Sequence, residues 1–177
     1  MGALKSYSHL DRARILVRNS IAEARRYVWD LRSQALENND LPTALSETAR
    51  RLTAETTVTA QVQVSGTFRP LPRLVEDNLL RIAQEAINNA VKHSQAAHLF
   101  VNLAFDVRRV RLSVRDDGHG FDSQTSGNGG TGHFGLVGMR ERVEQIDGTL
   151  SIQSGNGAGT EVVVDVPISG LKGFNRE

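Results

Sequence analysis

Asn88 and Asn89 stand side by side in the middle of "RIAQEAINNAVKHS" (Arg81 to Ser94), and Glu85 lies four residues before Asn89, on the same helical face. On a wheel of about 3.6 residues per turn, Val75, Leu79, Ile82, Ala83, Ala86, Ile87 and Ala90 form an apolar face. Asn78, Arg81, Glu85, Asn88, Asn89 and Lys92 gather into a polar stripe. A stripe that only meets water is usually filled with Lys, Glu, Gln or Arg, because Asn is a poorer helix former than Ala by up to roughly 0.7 kcal/mol. Two adjacent carboxamides beside a carboxylate therefore point to a chemical task.

Three glycine-bearing stretches follow in order. "DDGHG", Asp116 to Gly120, ends an alternating strand. Its glycines permit a tight turn and close approach of main chain to a ligand, and a carboxylate at a strand end can accept a hydrogen bond from an amine such as that of adenine. "GHFGL", Gly132 to Leu136, stands at the start of a helix, where free N–H groups and the helix dipole favour phosphate oxygens. "GAGT", Gly157 to Thr160, opens the last strand. Singly, each such turn is commoner as a hairpin corner than as a nucleotide site. Their order and context after the Glu85/Asn89 helix set this chain apart from a random collection of turns.

The elements that must position these residues are legible from periodicity. Ser8 to Gln34 has no Gly or Pro and repeats apolar residues at steps of three and four, which predicts one long helix in need of a partner. After "ENND", Asp40 as N-cap and Pro42 in the first turn open a second helix through "PTALSETARRLTAET". "VTAQVQVSG" alternates Val58, Ala60, Val62 and Val64 as a strand with one buried face. The asparagine helix follows Pro70 and Pro72, and "AHLFVNLAFD" and "RVRLSVRDD" form a hairpin turning near Asp106 to Arg109. Gly118 to Gly135 is a long glycine-rich loop of the kind that serves as a lid or binding loop. "LVGMRERVEQID" is a helix ended by Gly148, and the strands "TLSIQS" and "TEVVVDVP" flank "GNGAG". Helices mixed with mainly hairpin-joined strands predict an α+β sandwich.

Composition narrows the classes. The 177 residues carry a net charge of +1 with basic residues spread along the chain, so no nucleic-acid footprint is present. With no cysteine there is no disulfide framework and no thiolate metal site. The apolar runs fall far short of the roughly 18 residues needed to span a bilayer, so direct membrane contact is not expected, and a cytoplasmic setting is. The parent protein is expected to be longer than this chain, with anchoring in the inner membrane left open.

"QEAINNAVKH", "DDGHGF", "GHFGLVGMRERV" and "GAGT" resemble the N, G1, G2 and G3 boxes of the GHKL ATPase superfamily, which contains gyrase, sensor histidine kinases and mismatch-repair ATPases. "EARRYVWDLRS" and "GMRERV" resemble the sensor histidine kinases whose partners are nitrate-response-type regulators. The resemblance implies a Bergerat-type fold, a mixed sheet covered by helices, preceded by a long N-terminal helix. It divides the chain into 1–36, the second helix of a dimerisation hairpin; 37–170, the ATP-binding catalytic domain; and a tail, 171–177. ATP and Mg²⁺ are the implied cofactors. By the same resemblance Asn89 is the Mg²⁺ ligand, a hard-cation role suited to an amide oxygen, and Glu85 the acidic residue that orients or deprotonates the nucleophile. Asn88 and Lys92 belong to the same nucleotide-binding stripe, Lys92 meeting phosphate charge. Asp116 recognises adenine in a pocket shaped by Gly118 and Gly120. Gly132, Gly135 and Leu136 lie at the phosphate end, and Gly159 and Thr160 close the adenine side.

The chain departs from the family pattern in two places. His133 follows the first glycine of the second box, which shifts that glycine to Gly132. None of the five histidines is followed at once by an acidic residue on a basic helix, so the phosphoacceptor is missing. His9 is expected at a helix start, His93 as a packing or hydrogen-bonding residue, and His98, His119 and His133 lack partners at zinc spacing. The expected partners are a response regulator and, in the full-length protein, a second copy. Autophosphorylation by this chain alone is not expected. Two alternatives remain open: a serine kinase of the anti-sigma type, and a non-catalytic dimerisation scaffold of the same fold.

Overall fold

The structure, a computed structural model, describes residues 36, 39–121 and 133–168. All of these but Leu36 belong to one unit, Asn39–Glu177. The long helix expected over Ser8 to Gln34, the centre of the glycine-rich loop with Gly132, and the tail lie outside the described residues.

Helix α1, Leu41–Thr53, starts where expected: the Thr43 N–H donates to the Asp40 carboxylate at 2.9 Å, and Pro42 occupies the first turn. It ends at Thr53 instead of running on to Thr56, because the Thr53 carbonyl accepts both the Thr56 N–H at 3.1 Å and the Thr56 hydroxyl at 2.9 Å, closing a turn. Strand β1, Thr59–Gly66, leads through Leu71 to helix α2, Arg73–Asn89, which continues as one π turn, Ala90–Ser94. Strands β2, His98–Phe105, and β3, Arg109–Asp116, form the expected hairpin. Helix α3, His133–Glu144, then precedes β4, Thr149–Gly155, and β5, Gly159–Pro167.

The five strands make one mixed sheet in the order β1-β2-β3-β5-β4, parallel only between β1 and β2. That parallel pair requires a crossover, and α2 supplies it. One sheet face is apolar. Leu99, Val101 and Leu103 of β2, Val110, Leu112 and Val114 of β3, and Val162, Val164 and Val166 of β5 are all buried there. The other face is polar, with Arg111 forked onto Asp165 through bonds of 2.9 and 2.8 Å. Such alternation is what a sheet covered by helices on one side only requires.

All seven apolar residues of the α2 wheel are buried, and burying a side chain such as Leu79, Ile82 or Ile87 contributes about 1.5–3 kcal/mol. The polar stripe is different from expectation at Asn78, which is 1% exposed and donates to the Leu74 carbonyl at 2.9 Å. The reason is that α2 has several neighbours: α1, the sheet and, over part of its polar side, α3. β1 also differs. Its inward face is only half covered, with Val64 still 41% exposed, because β1 is an edge of the sheet.

Candidate functional site

The sheet's inner face is a ladder of cross-strand rows. Leu112, Val164 and Leu150 form one row across β3, β5 and β4, and Val114, Val162 and Ile152 the next. The last row breaks the pattern: Asp116, Thr160 and Ser154 are in register, three polar side chains where the others are apolar. Asp116 is buried, and its Oδ1 accepts the Gly118 N–H at 2.9 Å. Among the described residues no other group bonds this carboxylate, so its second oxygen is open to a donor. A buried carboxylate costs free energy unless hydrogen-bonded, which makes this an unusual place for Asp in a structure with no chemical use for it.

The neighbouring aspartate does something else. Asp117 is exposed, and its carboxylate accepts the N–H groups of Ala97 at 2.9 Å and His98 at 2.8 Å and meets His98 Nδ1 at 2.7 Å. These bonds, the His98 main-chain one first, pull its pKa down to about 2. Asp117 thus ties the turn to the start of β2 while Asp116 faces inward. His98, expected to have no carboxylate partner at metal spacing, has this one. Among the described residues no group of three or more His, Cys, Asp or Glu gathers as a metal site.

The first and third glycine stretches interlock behind Asp116. Gly120 and Gly159 both have positive φ, +66° and +73°, which L side chains rarely adopt. A Cβ on Gly120 would collide with the carbonyl oxygens of Gly155 and Gly159, and one on Gly159 with that of Asp116. The Gly157 N–H donates to the His119 carbonyl at 2.7 Å, locking the two turns together. Gly118 packs on the end of the asparagine helix: a Cβ there would strike the Ser94 carbonyl, which accepts the His119 N–H at 2.9 Å. In this way the structure brings Asp116, Gly118, Gly120, Gly159 and Thr160 together at one end of the sheet, next to the C-terminal end of α2.

At that end of α2, Glu85, Asn88 and Asn89 are half-buried, and their side chains bond no other described residue. Asn89 is the last α-helical residue. Ala90 opens the π turn, its N–H shared between the carbonyls of Ala86 and Ile87, and the turn closes at Gln95 with φ +55°. A single π turn in an α-helix is often found at functional sites. Beyond Asn89 the angular step changes from that of the wheel, and Lys92 is exposed on the turn. His93, expected to pack or to hydrogen-bond, is exposed as well, so packing does not hold it.

Helix α3 packs on α2 and begins earlier than expected, at His133, which places Gly135 and Leu136 in its first turn. Gly135 faces Glu85. A Cβ there would meet the Glu85 carboxylate first, with its Cδ at 3.1 Å. The second glycine box and the asparagine helix are therefore in direct contact, and Glu85 lies at a helix N-terminal turn. Ser154, Asp117 and Ser94 escape a reading of the sequence. Ser154 alone leaves a trace there, as the polar third member of the inward series Leu150, Ile152, Ser154.

Residues 74–170 match the family described as histidine kinase-, DNA gyrase B-, and HSP90-like ATPase. The chain is 35% identical over 156 residues to the signal transduction histidine-protein kinase/phosphatase DegS of Brevibacillus brevis, covering 88% of this chain and 40% of that protein. It is 38% identical over 97 residues to the nitrate/nitrite sensor protein NarX of Escherichia coli (strain K12), covering 52% of this chain and 16% of that protein. The chain thus spans two fifths or less of the length of these relatives. The blue-light activated histidine kinase of Erythrobacter litoralis EL346 shares the fold, with a TM-score of 0.62, 24% identity, and coverage of 77% of this chain and 44% of that one. The mixed five-stranded sheet covered on one face by helices agrees with these likenesses, and the chain belongs to the histidine kinase-, DNA gyrase B- and HSP90-like ATPases as the ATP-binding catalytic domain of the sensor histidine kinase type.

Proposed function

We propose that this domain holds Mg-ATP for in-line phosphoryl transfer to a histidine outside these 177 residues, from which an aspartate of a response regulator takes the group. The observation that carries this reading is the polar row Asp116–Thr160–Ser154 at the mouth of an otherwise apolar sheet face, beside the Glu85/Asn89 end of α2. The residues fit the nucleotide. Asp116 offers one carboxylate oxygen to the adenine amine, and Gly118, Gly120 and Gly159, whose Cβ positions are taken by main chain of neighbouring segments, let the turns close tightly enough to hold it there. Asn89 holds the Mg²⁺ through its amide oxygen, Asn88 and Lys92 line the phosphate path, and Gly132, Gly135 and Leu136 bring main chain to its far end. Bound there, Mg²⁺ supplies neutralisation of charge on the phosphate oxygens. Glu85 orients the attacking imidazole or takes its proton. Catalysis on this plan is mainly positioning and electrostatics.

In the full-length protein two copies pair through the helix expected over Ser8 to Gln34, residues 1–36 forming half of the pairing hairpin and 37–170 the catalytic domain. The work is done in the cytoplasm, where ATP is. No helix among the described residues is long and apolar enough to cross a membrane. Calorimetric titration with a hydrolysis-resistant ATP analogue, with and without Mg²⁺, tests the reading. The wild type binds, Asp116→Asn abolishes binding, and Asn89→Ala removes only the Mg²⁺ dependence. A wild-type chain that binds in neither condition sinks the assignment.

A further inference from the structure

β1 is an edge of the sheet, and among the described residues it pairs with β2 alone, along its whole length and without a bulge. The Thr59 N–H is given to the Ala97 carbonyl at 2.8 Å, so by the alternation of a strand the main chain of Thr59, Gln61, Gln63 and Ser65 faces β2. Ala60, Val62 and Val64 turn their N–H and C=O groups to the open edge, where no other described strand takes them. Open edges are normally blunted by Lys, Pro, an inward-pointing charge or a bulge. "TAQVQVSG" has none of these, and no charged residue occurs from Thr56 to Phe68.

The strand is also symmetric about Val62. Laid antiparallel on a copy of itself with Val62 opposite Val62, it sets Gln61 opposite Gln63, Ala60 opposite Val64 and Thr59 opposite Ser65. Amide then meets amide, apolar meets apolar and hydroxyl meets hydroxyl. Ala60, Val62 and Val64 are the residues that exchange main-chain bonds in this register, so the phase of the open edge and the match of side chains agree. Val64, 41% exposed, gains Ala60 of the second copy beside it. The first charged residues beyond the strand are Glu55 and Arg69, opposite in sign and equally far from Val62, so each end of the joint brings unlike charges together. β4, the other edge, is likewise uncharged, but the nearest charges on either side of it in the chain, Asp147 and Glu161, are both acidic. We propose that β1 is a homotypic docking edge: two copies join β1 to β1, antiparallel in this register, and make one sheet continuous across them. A joint of two strands buries less than the roughly 1,200 Å² of a stable free-standing interface. The contact is therefore weak between free chains and acts where another attachment already holds copies close. It does not rest on the ATP reading and uses none of the residues assigned to it.

The chain has no cysteine, so an introduced thiol has no competitor. Whole chains carrying Gln61→Cys and whole chains carrying Gln63→Cys are incubated separately and as a mixture in a glutathione redox buffer. In the proposed register the two substituted positions face each other as a non-hydrogen-bonded pair with Cα atoms ~4.5 Å apart, whereas like positions lie more than ~7 Å apart, out of reach of a disulfide. The mixture is expected to form cross-linked dimer at least about tenfold faster than either chain alone. Sedimentation equilibrium of cysteine-free chains, at about 0.15 M salt to screen remote charges, gives a second readout. Gln61→Lys with Gln63→Lys in one chain sets like charges across the joint and is expected to weaken self-association about fivefold or more, whereas Gln61→Lys with Gln63→Glu sets unlike charges there and does not. Attachment through any other surface contributes equally to both variants. The inference is overturned if mixing brings no gain in cross-linking rate, as when another segment of the chain or a different protein occupies the edge. It is equally overturned if the two charge variants associate alike.

Discussion

At the Asp116 end of the site, glycines meet main-chain oxygens; at the Glu85 end, a glycine meets the tip of a flexible side chain. The first end is fixed by the fold. Gly120, Gly155, Gly159 and the Asp116 carbonyl close on one another, and two of these glycines hold a positive φ that no substitution adopts without strain. The second end is fixed by little. Glu85, Asn88 and Asn89 bond no other described residue, and the helix that touches Glu85 follows a segment outside the described residues. The contrast matches the two halves of the proposed ligand: a planar base recognised by shape and direction, and a charged chain whose terminal group must leave.

If that contrast is right, substitutions at the two ends differ in kind. Gly159→Ala combines backbone strain with collision against the Asp116 carbonyl and is expected to destabilise the fold by about 3 kcal/mol or more, read as a lowered denaturation midpoint; a loss under about 1 kcal/mol would mean the interlock is soft. Gly135→Ala is expected to leave stability within about 1 kcal/mol, since alanine's helix propensity offsets the contact and the Glu85 side chain can swing aside. It should leave analogue affinity nearly unchanged and slow phosphoryl transfer about tenfold or more in a protein that carries the acceptor histidine. Equal loss of both would erase the distinction between the ends.

The smallest effect concerns Asp117. Its pKa is lower in the folded chain, about 2, than the ordinary 3.8. Its contribution is therefore fully present above the ordinary aspartate range and is lost as pH falls through the folded value. Acid unfolding of the wild type and Asp117→Asn should differ above about pH 4 and converge towards pH 2. A difference that persists at the acid end would place the turn's anchor elsewhere.

What the sequence made legible is the part governed by local period. The buried face of α2, the β2–β3 hairpin, the N-cap at Asp40 and the polar residues of the glycine turns follow from spacing and turn chemistry. What it hid depends on partners remote in the chain. Asn78 falls in the polar stripe of a wheel, and a wheel does not show which members of that stripe the neighbouring elements cover. α3 begins at His133, although "HFG" has weak helix propensity, and its first turn rests on α2. Ser154 could not be told from any other serine of an alternating strand until β5 laid Thr160 opposite it. Nor can the choice between two adjacent aspartates be made from type: Asp116 closes β3 with its side chain buried, while Asp117 follows the strand and is spent on Ala97 and His98.

The π turn at Ala90–Ser94 has a consequence for how such a chain can vary. Its last residue, Ser94, must present its carbonyl to His119 and its side chain to Gly118, whereas Lys92 and His93 lie exposed. A π turn fits one extra residue into the winding of an α-helix, so deleting one residue between Asn89 and Ser94 would restore ordinary winding and leave the chain beyond it close to its present direction, whereas inserting one would turn everything beyond it by about 100°. The segment therefore tolerates changes of letter better than added length: Lys92 or His93 can be exchanged freely as far as the turn is concerned, but a single-codon insertion there uncouples the asparagine helix from the Asp116 turn.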